Sequence, residues 1–507
     1  METNSFVSTY RKRIDVVQNS VEQKLEPASD VSIGKILCVN ANACIENVEV
    51  LNGEAYYNGE VVFNAVLTDE QGNLFNVMET SPLQGKIENN FLNATMLPIY
   101  KVEVVNVSIQ NASSSGLKAN ALVEITLDCL ASDTINSFVP TGENIKIKTD
   151  VVNVYNVQNN GQATFSVSED LEVKAPVNEI LFKCANVCIK DVKSGTGYFT
   201  INGEVNFNMS FVSGDEESKT VKCLNQTFPF TEEIEVEDLT KEEIVQLMVN
   251  VKPEDIVVTI GEVNELKTTL NINVPVQVKY YTMNRNEREI TTDAYSTTNN
   301  VNLVSESFSY IKSIQSQCEN KTIDCELTLQ DDQERISKVL FVCGENVSVT
   351  NNYVEDERLF VEGIVSANVV YLADNDNYEV CSVVAECPFK IQMSEEVVMA
   401  DDIFVKTTVK GCSCRAKKGK ELDLEFDVNV LSEAYLMGQG VYLKEVELAE
   451  KLEVSPYSLQ IYFAPKNSDV WSISKHLKVT PEVITSQNPD LVFPLEKPEQ
   501  VVYFIQK

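Results

Sequence analysis

The chain has 507 residues, and 41 basic against 76 acidic side chains leave a net charge of −35. At about 150 residues per domain, this length predicts three to four domains, and 43% apolar residues with 19 Gly and 15 Pro are too apolar and breaker-poor for a disordered chain. Such a surface repels polyphosphate backbones and has no basic stripe to relieve it, so nucleic acid is disfavoured; no apolar run reaches membrane-spanning length.

Met1-Glu2-Thr3-Asn4-Ser5-Phe6 carries neither the basic head nor the apolar stretch of an export signal. The expectation is a soluble protein that stays in the compartment where it is made, with its thirteen cysteines reduced. Phe6, Val7, Tyr10, Ile14, Val17, Val21 and Leu25 recur mostly three and four residues apart. That spacing predicts an amphipathic helix within 1–30, packed on the first β domain. Arg11-Lys12-Arg13 offers it a weak contact with membrane, although stable attachment usually takes two signals.

Three segments then share one pattern. Ile33-Gly34-Lys35-Ile36-Leu37 leads to Asn58-Gly59-Glu60-Val61; Val177-Asn178-Glu179-Ile180-Leu181 leads to Asn202-Gly203-Glu204-Val205; Ile336-Ser337-Lys338-Val339-Leu340 leads to Glu362-Gly363-Ile364-Val365. Leu37 to Gly59 and Leu181 to Gly203 both span 22 positions, and Leu340 to Gly363 spans 23. Offsets that agree over so long a period mean three sequential domains, not a solenoid of small units. They are placed at 31–155, 165–285 and 326–436. Runs such as Val205-Asn206-Phe207-Asn208-Met209 alternate apolar with polar, and Leu422-Asp423-Leu424-Glu425-Phe426 does the same near the end of the third copy. Each copy therefore reads as a sandwich-like or barrel-like β domain. Asn58-Gly59 and Asn202-Gly203 read as hairpin turns. Thr240 with Glu243 reads as a capping box opening a short helix over Ile244, Leu247 and Met248. Residues 286–325 and 437–456 read as connectors; neither is Gly/Ser-rich, which favours folded extensions over loose tethers. Cys412 and Cys414 share one face of a strand, but two further ligands for zinc are missing nearby, so they read as core or incidental thiols.

From 457 to 507 the pattern becomes strand–helix–helix–strand. Leu459-Gln460-Ile461-Tyr462-Phe463 alternates as a strand, Ser468 or Asp469 caps a helix bearing Val470, Trp471, Ile473 and Leu477, and Thr480-Pro481 opens a second helix that ends at Asn488-Pro489. Val501-Val502-Tyr503-Phe504 is the returning strand. Val470-Trp471-Ser472-Ile473-Ser474, Val479-Thr480 and Asn488 resemble, in order and spacing, a LysM domain. Asn467 and Ser468 stand where that family usually has Gly and Asp, in the loop that cradles N-acetylglucosamine in its glycan-binding members. Asn is the next-best residue after Gly for a left-handed turn, so the turn survives while the sugar contacts change.

The upstream copies resemble SPOCS domains of spore-forming Firmicutes, on the Ile-Gly-Lys-Ile-Leu opening, the Asn-Gly-Glu-Val segment and the closing strands. SPOCS repeats followed by one LysM domain look like the SipL-type sporulation protein family. The fold expected is mainly β: three tandem β-rich SPOCS-like domains followed by a small βααβ LysM domain. The resemblance implies a scaffold in the mother cell, on the cytoplasmic side of the forespore outer membrane. Its LysM domain would bind the coat-morphogenetic ATPase, stage IV sporulation protein A, and so localise spore coat assembly, with self-association as a further option.

No enzyme is expected, and no cofactor or metal. One histidine, His476, leaves no Ser-His-Asp or multi-His arrangement, and no phosphate loop occurs. The candidate partner-binding residues are Ile461, Phe463, Asn467, Ser468, Asp469, Trp471, Lys475 and His476. Lys475 and His476 read as the exposed part of the first helix. Trp471, Ile461 and Phe463 read equally as core or as contact. Two alternatives stand beside the adaptor: a peptidoglycan-binding cell-wall protein, which would want an export signal and the Gly-Asp turn, and a coat component cross-linked through its cysteines.

Overall fold

The computed structural model describes residues 2–28, 31–139, 144–214, 220–263, 267–376, 379–397, 400–417, 419–453 and 459–504. The first repeat runs β1 (Glu2–Leu25), β2 (Ile33–Leu51), β3 (Glu54–Asp69), β4 (Leu74–Glu88), β5 (Leu97–Ser113) and β6 (Gly116–Val139). Its strands form two antiparallel sheets, β1-β6-β5 and β2-β3-β4. Alternation explains their packing. Ala119, Ala121, Val123, Ile125 and Leu127 of β6 point one way and meet Val61, Phe63, Ala65 and Leu67 of β3, closing a dry sandwich core.

The second repeat carries β7 (Ile145–Val173), β8 (Glu179–Ser194), β9 (Tyr198–Ser213), β10 (Thr220–Glu235), β11 (Ile244–Asn250), β12 (Val257–Val263) and β13 (Thr268–Ser296). The third carries β14 (Asn299–Thr328), β15 (Ile336–Glu355), β16 (Arg358–Ala373), β17 (Val380–Glu396), β18 (Asp402–Ala416) and β19 (Glu421–Lys451). Both repeat the plan. A three-stranded meander (β8-β9-β10, β15-β16-β17) faces a sheet whose central strand, β13 or β19, pairs with the opening strand β7 or β14. Equivalent leucines face each other across these long pairs: Leu25 and Leu117, Leu171 and Leu270, Leu327 and Leu422.

The three repeats converge on shared interior clusters. One joins the opening strands of the meanders through Leu37, Leu181 and Phe341. A second places Leu130, Met283 and Tyr435, each thirteen positions past the paired leucines, in one layer. A third gathers Phe6, Ile135, Val154, Ile290, Phe308 and Tyr442, two residues from each long strand pair. The chain thus builds a three-sided body from three unequal copies. Arg11 is buried in it, paired with Asp128 and Asp402 and with its guanidinium 4.4 Å from the centre of the Tyr435 ring.

Several expectations are corrected. Residues 2–25 form a strand, not a helix. Val17, Val21 and Leu25 are four apart, a multiple of two as well as nearly one helical turn, and the intervening Asn19 also turns inward, donating to the Tyr57 hydroxyl at 2.6 Å. The β-branched content favours pairing with β6, and the shift between Arg13 and Asp15 re-aims the remainder of the strand. Its basic triplet does not form one exposed cationic face: Arg11 is buried, Arg13 pairs with Asp128, and Lys12 lies 3.7 Å from the centre of the Phe91 ring.

Asn58-Gly59 and Asn202-Gly203 are not turns either; they lie inside β3 and β9. Gly59, Gly203 and Gly363 face Ile45, Ile189 and Val349, and in each repeat the partner strand bulges at that point. A Cβ on Gly59 would overlap the Cys44 carbonyl, on Gly203 the Cys188 carbonyl, and on Gly363 the Ser348 carbonyl. Close backbone approach at a bulge therefore explains the repeated glycine.

Thr240 and Glu243 do make capping contacts, with the Thr240 N–H donating to Glu243 Oε1 at 3.2 Å, but around a turn that leads into strand β11. Residues 286–296 continue β13, 299–325 make up nearly all of β14 and 437–451 end β19, so the segments read as connectors belong to long strands. Not every thiol is free: Cys325 and Cys387 form a disulfide between β14 and β17. No helix among the described residues is long and apolar enough to cross a membrane.

Candidate interaction surface

The C-terminal unit consists of β20 (Leu459–Ala464), α1 (Val470–Leu477), α2 (Pro481–Gln487) and β21 (Glu499–Phe504). Its core is small: Ala464, Ile473, Ile484, Leu495, Val501 and Tyr503. Polar clips compensate. Asp469 is the N-cap of α1, accepting from the Ser472 N–H at 2.8 Å, and hydrogen bonding from the Ser472 side chain, helped by that N–H, holds its carboxyl below the usual range. Asn467 adopts φ 67°, the left-handed turn expected of it, and its N–H donates to the Leu495 carbonyl at 2.7 Å. Buried Asn488 ties α2 to β21, accepting from the Val502 N–H and donating to the Val502 carbonyl.

One side of α1 is pressed against the body. Asp293 of β13 accepts from Trp471 Nε1 at 2.8 Å and from Lys475 Nζ at 2.5 Å. Tyr295 stands edge-on to the indole, 5.0 Å between ring centres, and donates its hydroxyl to the Val479 carbonyl at 2.7 Å. Burial alone would raise the Asp293 carboxyl, but the hydrogen bonds from Lys475 and Trp471 outweigh it and hold the group below its ordinary value. Burial pushes the Tyr295 phenol up to about 12. Trp471 and Lys475 therefore join the unit to the second repeat, and Lys475 is not on an exposed part of the helix. His476 is exposed, its ring 4.7 Å from that of Tyr462.

The outer face of the two-stranded sheet is exposed among the described residues. Leu459 faces Phe504, Ile461 faces Val502 and Phe463 faces Gln500, so these six side chains share the outer face of the two-stranded sheet. Ile461 is 54% exposed and Phe463 69%. Leu459 and Phe504 are about half exposed as well, and Val492 stands out from the loop after α2. A row of large apolar side chains on a unit of about fifty residues is the kind of patch that marks an interaction site. The sequence singled out Ile461 and Phe463 without fixing their direction. Leu459, Val502 and Phe504 were missed, although a strand apolar on both faces at the end of a chain is the available signal. Asn467 is exposed, whereas Ser468 and Asp469 are half-buried around the turn.

Among protein families, "SipL, SPOCS domain" matches residues 176–261, the span from the start of the second repeat's meander to β12. The match supports a role related to sporulation. No curated protein and no solved structure matches the chain.

Proposed function

We propose that the chain is a non-enzymatic adaptor in sporulation. On this reading it acts in the mother cell at the forespore surface, and its C-terminal unit is a LysM domain that binds a stage IV sporulation protein A-like ATPase. The family match over the second repeat and the likeness of the C-terminal residues to LysM support the reading. The observation that carries it is the exposed row Leu459, Ile461, Phe463, Val502 and Phe504, a dry patch suited to another polypeptide rather than to a polar saccharide. The three-sided body serves as a rigid carrier, and the Asp293 contacts orient the unit so that this row faces outward.

Co-purification of the ATPase with the full chain and with Phe463→Asp tests this. Retention by the wild type and loss by the variant, with unchanged melting, is the expected result. Equal retention by both would remove the patch from the interface. Sedimentation with purified peptidoglycan is the contrary outcome: binding there would favour a wall-glycan role.

A further inference from the structure

A cavity of about 740 Å³ lies where the three repeats meet. Its size is that of a small-molecule site. Each repeat sends a lysine to it at one register. Nine positions past the paired leucines Leu117, Leu270 and Leu422 stand Thr126, Lys279 and Leu431. Opposite these lie Lys101 on β5, Met248 on β11 and Lys406 on β18. Residues directly opposite in an antiparallel pair point to the same face, so Lys101, Lys279 and Lys406 enter the cavity at one level, one from each copy.

Two of the three have no carboxylate partner among the described residues. Lys406 Nζ donates to the Val249 carbonyl at 2.9 Å and Lys279 Nζ to the Glu46 carbonyl at 2.5 Å. Lys101 pairs with Glu103 at 2.6 Å. Four further carboxyls line the space, Asp191, Glu254, Glu395 and Glu433. Burial drives two of them toward neutrality: Glu254 is pushed up to about 7, and Glu433 is raised. With Lys190 and Lys252 the lining holds five lysines against five carboxyls, a balance that stands apart in a chain of net charge −35.

We propose that the cavity binds a small, multiply charged oxyanion, phosphate- or carboxylate-bearing, held by Lys101, Lys279 and Lys406 on the axis between the repeats. Burial lowers the affinity of Lys406 and Lys279 for their protons, and an anion among them offsets that penalty. Such a ligand touches all three copies at once, so its binding stabilises their assembly.

The test is calorimetric titration of the full chain with sodium phosphate, pyrophosphate and citrate, beside Lys406→Met and Lys279→Met. The general stabilisation that phosphate salts give any protein is unaltered by these substitutions and is subtracted by the comparison. Saturable one-to-one binding of at least one anion, weakened tenfold or more in whichever variants fold, is expected; pyrophosphate against citrate separates phosphate from carboxylate recognition. Absence of saturable binding for all three, or binding that survives Lys406→Met and Lys279→Met, overturns the proposal.

Discussion

Asp128 and Asp293 each hold a cation that belongs to another element, and each sits at a joint between parts of the molecule. Asp128, with a side chain 1% exposed, receives Arg11 and Arg13 inside the body, where Asp402 adds a second carboxylate from the third repeat. Asp293, a quarter exposed, receives Lys475 and Trp471 at the edge of the C-terminal unit. The chemistry is similar and the solvent is not. A buried charge stripped of its partner has no water to turn to, whereas a partly exposed one rehydrates at lower cost. The first joint is therefore permanent on the scale of folding. The second is the weaker of the two and the one expected to open first.

Arg11→Ala probes the first joint most severely. Leaving Asp128 and Asp402 to the more exposed Arg13 alone should cost about 3 kcal/mol in denaturant unfolding. Arg11→Met, which keeps the packing against Tyr435, should cost less; equal and small losses for both would show the cluster to be solvated after all. The outer sheet face lies outside both joints. Ile461→Asp with Phe463→Asp should weaken partner binding by about 2 kcal/mol or more, roughly thirty-fold. The emission of Trp471, the sole tryptophan, should stay where it is. Asp293→Ala should behave in the opposite way: a red-shifted Trp471 emission, about 1 kcal/mol of lost docking and an unchanged denaturation midpoint for the body.

Acid should reproduce the Asp293→Ala result. Because the folded Asp293 carboxyl lies below its unfolded value of about 3.9, its contribution is complete above that pH. It fades as pH falls through the depressed folded value. A fluorescence titration showing the red shift only below about pH 4 fits; a transition near neutrality would assign the latch to another group.

The sequence displayed the repeats because the leucine-to-glycine offsets are set by a local constraint, a bulge that needs a glycine across from it. It did not display what the glycine does, since Asn-Gly is also the commonest hairpin signal and only the partner strand distinguishes the two. The opening strand was misread for a related reason: Val17, Val21 and Leu25 satisfy two periods at once, and Asn19, polar yet inward, hides the shorter one. In the C-terminal unit the caps at Asp469 and Thr480-Pro481 are local and legible. The orientation of Ile461 and Phe463 is not, because it depends on which face of the sheet the helices cover. Asp293 carries no local signal at all; it meets Trp471 across 178 positions of chain.

The three-sided body has a consequence for valency. Three identical subunits around an axis would bring three tails, and any partner that itself assembles would be cross-linked by them into a network. Here the three copies lie on one continuous backbone, so each body carries a single C-terminal unit. Under the proposed adaptor role, a chain bound to an assembling partner would decorate it rather than bridge it, at a spacing dictated by the partner.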